Sequence, residues 1–205
     1  MSEIILDERF DQAALDARLR WLNPPPDWSI DRATSSLRMM PAANTDFWQQ
    51  THYGFRADNG HLLFTEVSGD FTITTRVRFH PAHQYDQAGL MVRANALCWI
   101  KTSVEHELDG PNRLGVVVTN HGFSDWSMQD FPRNENAVWL RIRKDAQDFV
   151  VEFARGEGVN WCLLRVAHLR VEGGAALQCG LYACCPKGGS FRAEFGFLNI
   201  VRPAG

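Results

Sequence analysis

An all-β fold of two packed antiparallel sheets is what this sequence predicts, and three observations predict it. Short runs of strict apolar/polar alternation recur along the chain, turn-forming residues punctuate them, and no long helices alternate with them as a parallel α/β sheet requires. The 205 residues fall within the length that one sandwich spans without splitting. No repeat, low-complexity tract or linker divides them, so residues 1–205 are expected to form a single domain.

Taken in chain order, Asp11–Arg20 carries apolar Ala14, Leu15 and Leu19 and predicts a short helix that stops at Asn23-Pro24-Pro25-Pro26. After it, helix signals nearly vanish. Phe71–Phe79 places Phe71, Ile73, Val77 and Phe79 on one face and Thr72, Thr74, Arg76 and Arg78 on the other, the pattern of a half-buried strand. The same period of two runs through Leu140–Arg143, Phe149–Phe153 and Phe191–Phe197. Between these runs, Asp58-Asn59-Gly60, Ser68-Gly69-Asp70, Asp109-Gly110-Pro111 and Lys187-Gly188-Gly189 are turn chemistry.

A formal net charge of -3 offers no basic excess to draw in a phosphate backbone or an anionic membrane, so neither nucleic acid nor membrane is an expected partner. The N-terminus lacks a basic region followed by a sustained apolar run, and no stretch reaches membrane-spanning length. The cysteines, Cys98, Cys162, Cys179, Cys184 and Cys185, are odd in number and lack CxxC spacing. They fit a reducing cytoplasm; the Cys184-Cys185 pair could be a redox or metal site, but small buried thiols on a strand are the simpler reading.

The densest polar and aromatic chemistry lies between Asp86 and Trp126. Along Trp99–Glu107, Ile100 and Val104 share one face while Trp99, Lys101, Ser103, Glu105 and Glu107 share the other. Gln87 and Arg93 have the opposite parity to Leu90 and Val92, and Asp125 and Trp126 follow the next apolar run. Neighbouring strands would merge these polar faces into one surface. Either that surface is a groove where Trp side chains stack on a sugar while Asp, Gln, Lys and Glu fix its hydroxyls, or Lys101 and Glu105 form an ion pair on a solvated face. In Thr45-Asp46-Phe47-Trp48, Asp46 and Trp48 are candidates for the groove rim, with a structural anchor as the plainer role for Trp48.

Hydrolysis would need two carboxylates across a glycosidic bond. Glu105 and Glu107 are the candidate pair, their backbones roughly 6.5 to 7 Å apart on an extended strand, between the separations typical of retaining and inverting enzymes. Asp86 and Asp125 are alternative partners for Glu105. His80 and His83, two imidazoles on a proline loop near the Asp86 turn, could join His106 or His121 around a transition metal, but ordinary surface histidines are the expectation. Asp58-Asn59-Gly60 and Asp109-Gly110 offer oxygens to calcium, but neither makes a complete calcium loop, so no metal or cofactor is expected. Phosphate-loop, GxSxG and HExxH motifs do not occur.

The segments Phe10–Pro25, Asp46-Phe47-Trp48, Gly69-Asp70-Phe71, Tyr85–Met91 and Trp99-Ile100-Lys101 with Glu105 resemble the concanavalin A-like domains of a family of unknown function. That family includes a fungal protein named as a regulator of enolase. The same order of elements is similar to the accessory sandwich domain at the end of some β-xylosidases. The resemblance implies a two-sheet jelly roll of the lectin and glucanase type, whose concave face holds sugars in many relatives. It does not imply hydrolysis, because glucanases of the superfamily carry three acids at alternate positions where this chain has Lys101, Ser103, Glu105 and Glu107. A second departure is Glu157-Gly158-Val159-Asn160-Trp161, where relatives have Asp-Gly before the Trp and a serine at the position of Arg155.

The expected function is therefore recognition of a carbohydrate or related small polar ligand by Asp46, Trp48, Asp86, Gln87, Trp99, Lys101, Glu105, Asp125 and Trp126. A glycoside hydrolase and an intracellular protein-binding regulatory module are the alternatives.

Overall fold

The computed structural model describes residues 2–158, 160–171 and 174–203, and they form strands and turns throughout. The strands are β1 (Glu3–Glu8), β2 (Arg20–Leu22), β3 (Asp27–Asp31), β4 (Ser36–Met40), β5 (Phe47–Gln49) and β6 (Arg56–Asp58). They continue with β7 (His61–Val67), β8 (Phe71–His80), β9 (Gln87–Asn95), β10 (Cys98–Glu105), β11 (Asn112–Asn120) and β12 (Phe123–Phe131). The last five are β13 (Ala137–Asp145), β14 (Asp148–Ala154), β15 (Cys162–His168), β16 (Leu177–Cys184) and β17 (Arg192–Arg202).

Two large antiparallel sheets stack face to face as a jelly-roll sandwich, the predicted fold class. One runs β15-β14-β13-β8-β17-β4-β3, with β1 added alongside β17. The other runs β12-β11-β10-β9-β16-β7-β2, and a small β5-β6 ribbon stands apart from both. The inward faces are those the alternation predicts: Phe71, Ile73, Val77 and Phe79 on β8, Leu140 and Ile142 on β13, and Phe149, Val151 and Phe153 on β14. Against them the second sheet sets Leu90 and Val92, Ile100 and Val104, Val116 and Val118, and Leu181. Burying side chains of this size stabilises the fold by roughly 1.5 to 3 kcal/mol each.

Two local expectations are corrected. Asp11–Arg20 forms bends and turns, not a helix. The Glu8 carboxylate accepts hydrogen bonds from the Phe10 and Asp16 amides (2.7 and 2.8 Å), and Phe10 adopts a positive φ of 55°, so this segment's amides are held in a loop. On β17 the register slips between Phe195 and Leu198. This bulge turns Phe197 out of the core, where it packs against Trp139 at 5.4 Å. In the Glu157–Trp161 loop, Val159 lies outside the described residues. Trp161 there lies beneath the Arg141 guanidinium at 4.0 Å.

No helix among the described residues is long and apolar enough to cross a membrane.

Candidate functional site

The outward face of the second sheet is not a solvated surface. Strand register sets its side chains in rows running from β16 to β12. One row holds Cys184, Gln87, Glu105 and Arg113, the next Tyr182, Gly89, Ser103 and Gly115, and the third Gly180, Met91, Lys101, Val117 and Trp126. A fourth row holds Arg93, Trp99, Thr119 and Ser124. Half of this face is apolar and is covered by the β5-β6 ribbon, where Phe47 meets Trp99 and Tyr182 edge-on, each at 6.3 Å. The face thus carries a second small core, Phe47, Trp48, Phe64, Met91, Trp99 and Tyr182 among its members.

Local sequence explains why the ribbon sits there. Its Asp46-Phe47 entry is clamped by the Asp58-Asn59-Gly60 turn: Asn59 Oδ1 accepts the Asp46 amide at 3.0 Å, and the Asn59 and Gly60 amides donate to the Asp46 carbonyl. A Cβ at Gly60 would lie 2.4 Å from the Phe47 ring, so only glycine lets the turn close over that ring. Gln49 donates its amide to Ser124 Oγ (2.9 Å), Gln50 donates to the Gly122 carbonyl (3.0 Å), and Arg93 pairs with Asp58 (2.7 Å).

Between ribbon and sheet a groove of about 760 Å³ remains open. Its floor is a hydrogen-bonded chain. Lys101 Nζ donates to Asp46 Oδ1 at 3.1 Å and to Gln87 Oε1 at 2.9 Å, and Gln87 Nε2 donates to Glu105 Oε2 at 2.9 Å. Tyr182 adds a hydroxyl donor to Gln87 Oε1 at 3.1 Å, and Lys101 lies over the faces of Trp99 and Tyr182. Lys101 and Glu105 therefore meet through Gln87, and both border the groove. The walls carry aromatic side chains, Trp48, Tyr53 and Phe55 on the ribbon side, Tyr85 at one end and Trp126 on the sheet side, with Arg56 and Lys187 among them. Trp48 stacks edge-on with Tyr53 at 5.4 Å, while Tyr53 and Phe55 stay largely exposed.

Glu105 is the electrostatic exception. Burial among protein groups raises its pKa from 4.5 to about 8; Lys101 opposes the rise, and Asp46 and Glu107 add to it. Near neutral pH this side chain is mostly a carboxylic acid, a donor as well as an acceptor.

The structure brings together Asp46, Trp48, Gln87, Lys101, Glu105 and Trp126 around one groove. It does not bring the remaining candidates into it. Asp86, of opposite parity to Gln87, turns away and accepts the Ala82 and His83 amides, each at 2.8 Å. Trp99 is fully buried beneath Phe47 and donates to the Ala96 carbonyl at 3.2 Å, so it is a packing residue. Glu107 lies past the end of β10 and accepts from Gln84 at 2.9 Å. Asp125 also turns away from the groove face, pairing with Arg165 of β15 at 2.9 Å, and lines a smaller depression of about 540 Å³ with Tyr53 and Phe123. Sequence reading missed Tyr53, Phe55, Tyr85, Tyr182 and Lys187. The aromatic pair flanking Gly54, six residues after Trp48, is the signal that was available for two of them.

A model of the family described as "Protein of unknown function (DUF1349)" matches residues 21–203. The chain belongs to this family. It is 32% identical over 185 residues to regulation of enolase protein 1 of Saccharomyces cerevisiae, covering 90% of both chains. It is 25% identical over 174 residues to a putative β-xylosidase of Escherichia coli, covering 78% of this chain but only 29% of that protein. Among solved structures, a functionally unknown protein from Saccharomyces cerevisiae superimposes with a TM-score of 0.83 at 31% identity, covering 92% of this chain and 98% of that one. The GH43 protein BlXynB from Bacillus licheniformis gives 0.73 at 18% identity over 96% of this chain and 39% of its own, a likeness of fold alone.

Proposed function

We propose that this groove binds a carbohydrate or a closely related polyhydroxylated ligand. The observation that carries the reading is the opposition of an aromatic wall, Trp48, Tyr53, Phe55, Tyr85 and Trp126, to a polar floor of Asp46, Lys101, Gln87 and Glu105. Aromatic faces stack on the C–H surface of a sugar ring, while fixed donors and acceptors take its hydroxyls. Lys101 uses two of its three donors within the floor, leaving one for a ligand. Calorimetric titration with xylo-, gluco- and galacto-oligosaccharides, followed by tryptophan fluorescence, tests the reading. Wild type is expected to bind one class with a fluorescence change, and Trp126→Ala to lose at least tenfold in affinity. Silence against all three classes would overturn it.

Binding suits the floor better than hydrolysis. With a pKa near 8, Glu105 meets the requirement for a general acid, but the other groove acids, Asp46 and Asp58, are engaged by Lys101 and Arg93. Turnover of an aryl glycoside that disappears in Glu105→Gln would restore the enzymatic reading.

The likeness to regulation of enolase protein 1 favours a second reading, a regulatory module that binds a protein in the cytoplasm. The exposed Phe123, Tyr53 and Met128 supply surface for it, and the five free cysteines fit a reducing compartment. A pull-down returning a partner lost on Phe123→Asp would support it. Recovery of the same proteins by both forms would remove it.

A further inference from the structure

Behind the Tyr85 end of the groove, two loops meet through groups that the groove does not use. A ring nitrogen of His83, a carboxylate oxygen of Asp86 and Cys185 Sγ all lie within 4.8 Å of one another. The donor and acceptor balance of this cluster is uneven. Cys185 Sγ is 2.8 Å from Asp86 Oδ1 and 2.7 Å from the Gly188 carbonyl, yet a thiol has one proton and satisfies only one of those oxygens. The buried Nδ1 of His83 has no hydrogen-bond partner among the described residues. With His83 as its Nε2–H tautomer, acceptor lone pairs outnumber protons at this buried point, an arrangement that a cation resolves.

The supports are also in place. Asp86 Oδ2 takes the Ala82 and His83 amides, which orient the carboxylate and leave Oδ1 toward the sulfur. Cys185 is fixed through its amide to Thr45 Oγ1 at 3.0 Å and through its carbonyl to the Thr45 amide. A Cβ at Gly188 would lie 2.5 Å from the His83 ring, so glycine there seats the second loop on the imidazole.

We infer that His83, Asp86 and Cys185 form a binding site for a divalent transition-metal ion of the zinc class. One nitrogen, one oxygen and one sulfur ligand suit zinc or cobalt and do not suit calcium or magnesium. Binding requires the sulfur and Oδ1 to part from 2.8 Å to about 3.5 Å, the ligand spacing of a tetrahedral zinc centre. It releases the thiol proton of Cys185 to solvent, leaving a thiolate on the metal and a fourth position for water. Because Tyr85, Pro186 and Lys187 of these same loops line the groove, the metal would pin one end of the groove wall.

The test uses the full chain stripped with a chelator, then titrated with zinc chloride by calorimetry and with cobalt chloride by absorption. One ion per chain, a cobalt–thiolate charge-transfer band and a zinc-dependent rise in Tm are expected. Cys185→Ser, which keeps a hydroxyl for Asp86, should lose the band and at least tenfold in affinity. His83→Ala, at a partly buried position, should lose affinity by the same order, with its Tm in the absence of metal measured alongside. Cys162→Ser, at an exposed cysteine on β15, should bind as wild type. Failure of wild type to take up zinc, or a band that survives Cys185→Ser, would overturn the assignment without touching the sugar reading. So would unchanged affinity in both ligand variants.

Discussion

The two outward faces of the sandwich both carry cations beside carboxylates, and they use them in opposite ways. On the β8-β13-β17 face, Glu194 is shared among Arg38, Arg192, Arg78 and His80, and Glu152 takes Arg141 and Arg143 at 2.9 and 3.0 Å. Most of the arginines there are open to water, Arg143 with half its side chain exposed, while Arg141 and the two glutamates are partly covered. On the β9-β10-β16 face a single ammonium, Lys101, is 4% exposed and sits beneath the β5-β6 ribbon. Water screens the first set, so each pair contributes little and is replaceable. Water meets the second along the groove alone, so its screening is weaker and each member depends on the others being present. Solvation, not charge, separates the scaffold face from the groove face.

The largest effect that would break this contrast is at Lys101. Lys101→Ala strands the Asp46 carboxylate and the Gln87 carbonyl and is expected to cost about 3 to 5 kcal/mol in chemical denaturation. Lys101→Met, similar in volume, strands the same two groups and should recover only the packing part of that loss, whereas Lys101→Met combined with Asp46→Leu should recover more of it, neither restoring ligand affinity. If Lys101→Ala costs no more than an arginine on the other face, the contrast fails.

Next in size is the pH dependence set by Glu105. Its pKa is 4.5 in ordinary surroundings and about 8 in the fold, so the folded state holds its proton more tightly than the unfolded chain. This group's contribution is greatest below the unfolded value, declines as pH rises through that interval, and is fully lost above the folded value. Glu105→Gln removes the dependence while keeping an oxygen for Gln87 Nε2. Thermal unfolding should show the two proteins matched at the acid end of the interval. At alkaline pH the variant should be more stable by about 2 kcal/mol, less than the full linkage value because groove water reaches the carboxylate. A difference that does not vary with pH would mean that Glu105 titrates normally.

The smallest expected effect is Arg143→Ala, a change of about 0.5 kcal/mol or less that salt reduces further. Denaturation at low and high ionic strength checks it. A cost that survives high salt would show the outer network to be less solvated than its exposure suggests.

Much of the sandwich was legible because period two is a local property. Phe71, Ile73, Val77 and Phe79 face the core as the alternation requires. Phe197 broke the pattern because a bulge adds a residue without changing composition, and Asp11–Arg20 because Glu8 holds two of that loop's amides. The same local rule placed Lys101, Ser103 and Glu105 on one face. It could not separate Asp86 from Gln87 in purpose, since one residue at the strand's start decides which side of the sheet each serves. Nor could it foresee that Phe47, some fifty positions earlier, would cover Trp99. Tyr53 and Phe55 reach the groove on a ribbon tied to the sheet by distant residues, among them Gly122 of the β11-β12 turn through Gln50.

That tie has a thermodynamic consequence for anything entering the groove. The ribbon is fastened at Ser124 and Gly122 at one end and at Arg93 at the other, so Trp48 is ordered when the chain folds and not when a ligand arrives. Much of the entropy of arranging the aromatic wall is therefore charged to folding. A ligand meets a preorganised surface, and its selectivity should follow how well its shape matches that surface more than how far it can draw a loop closed.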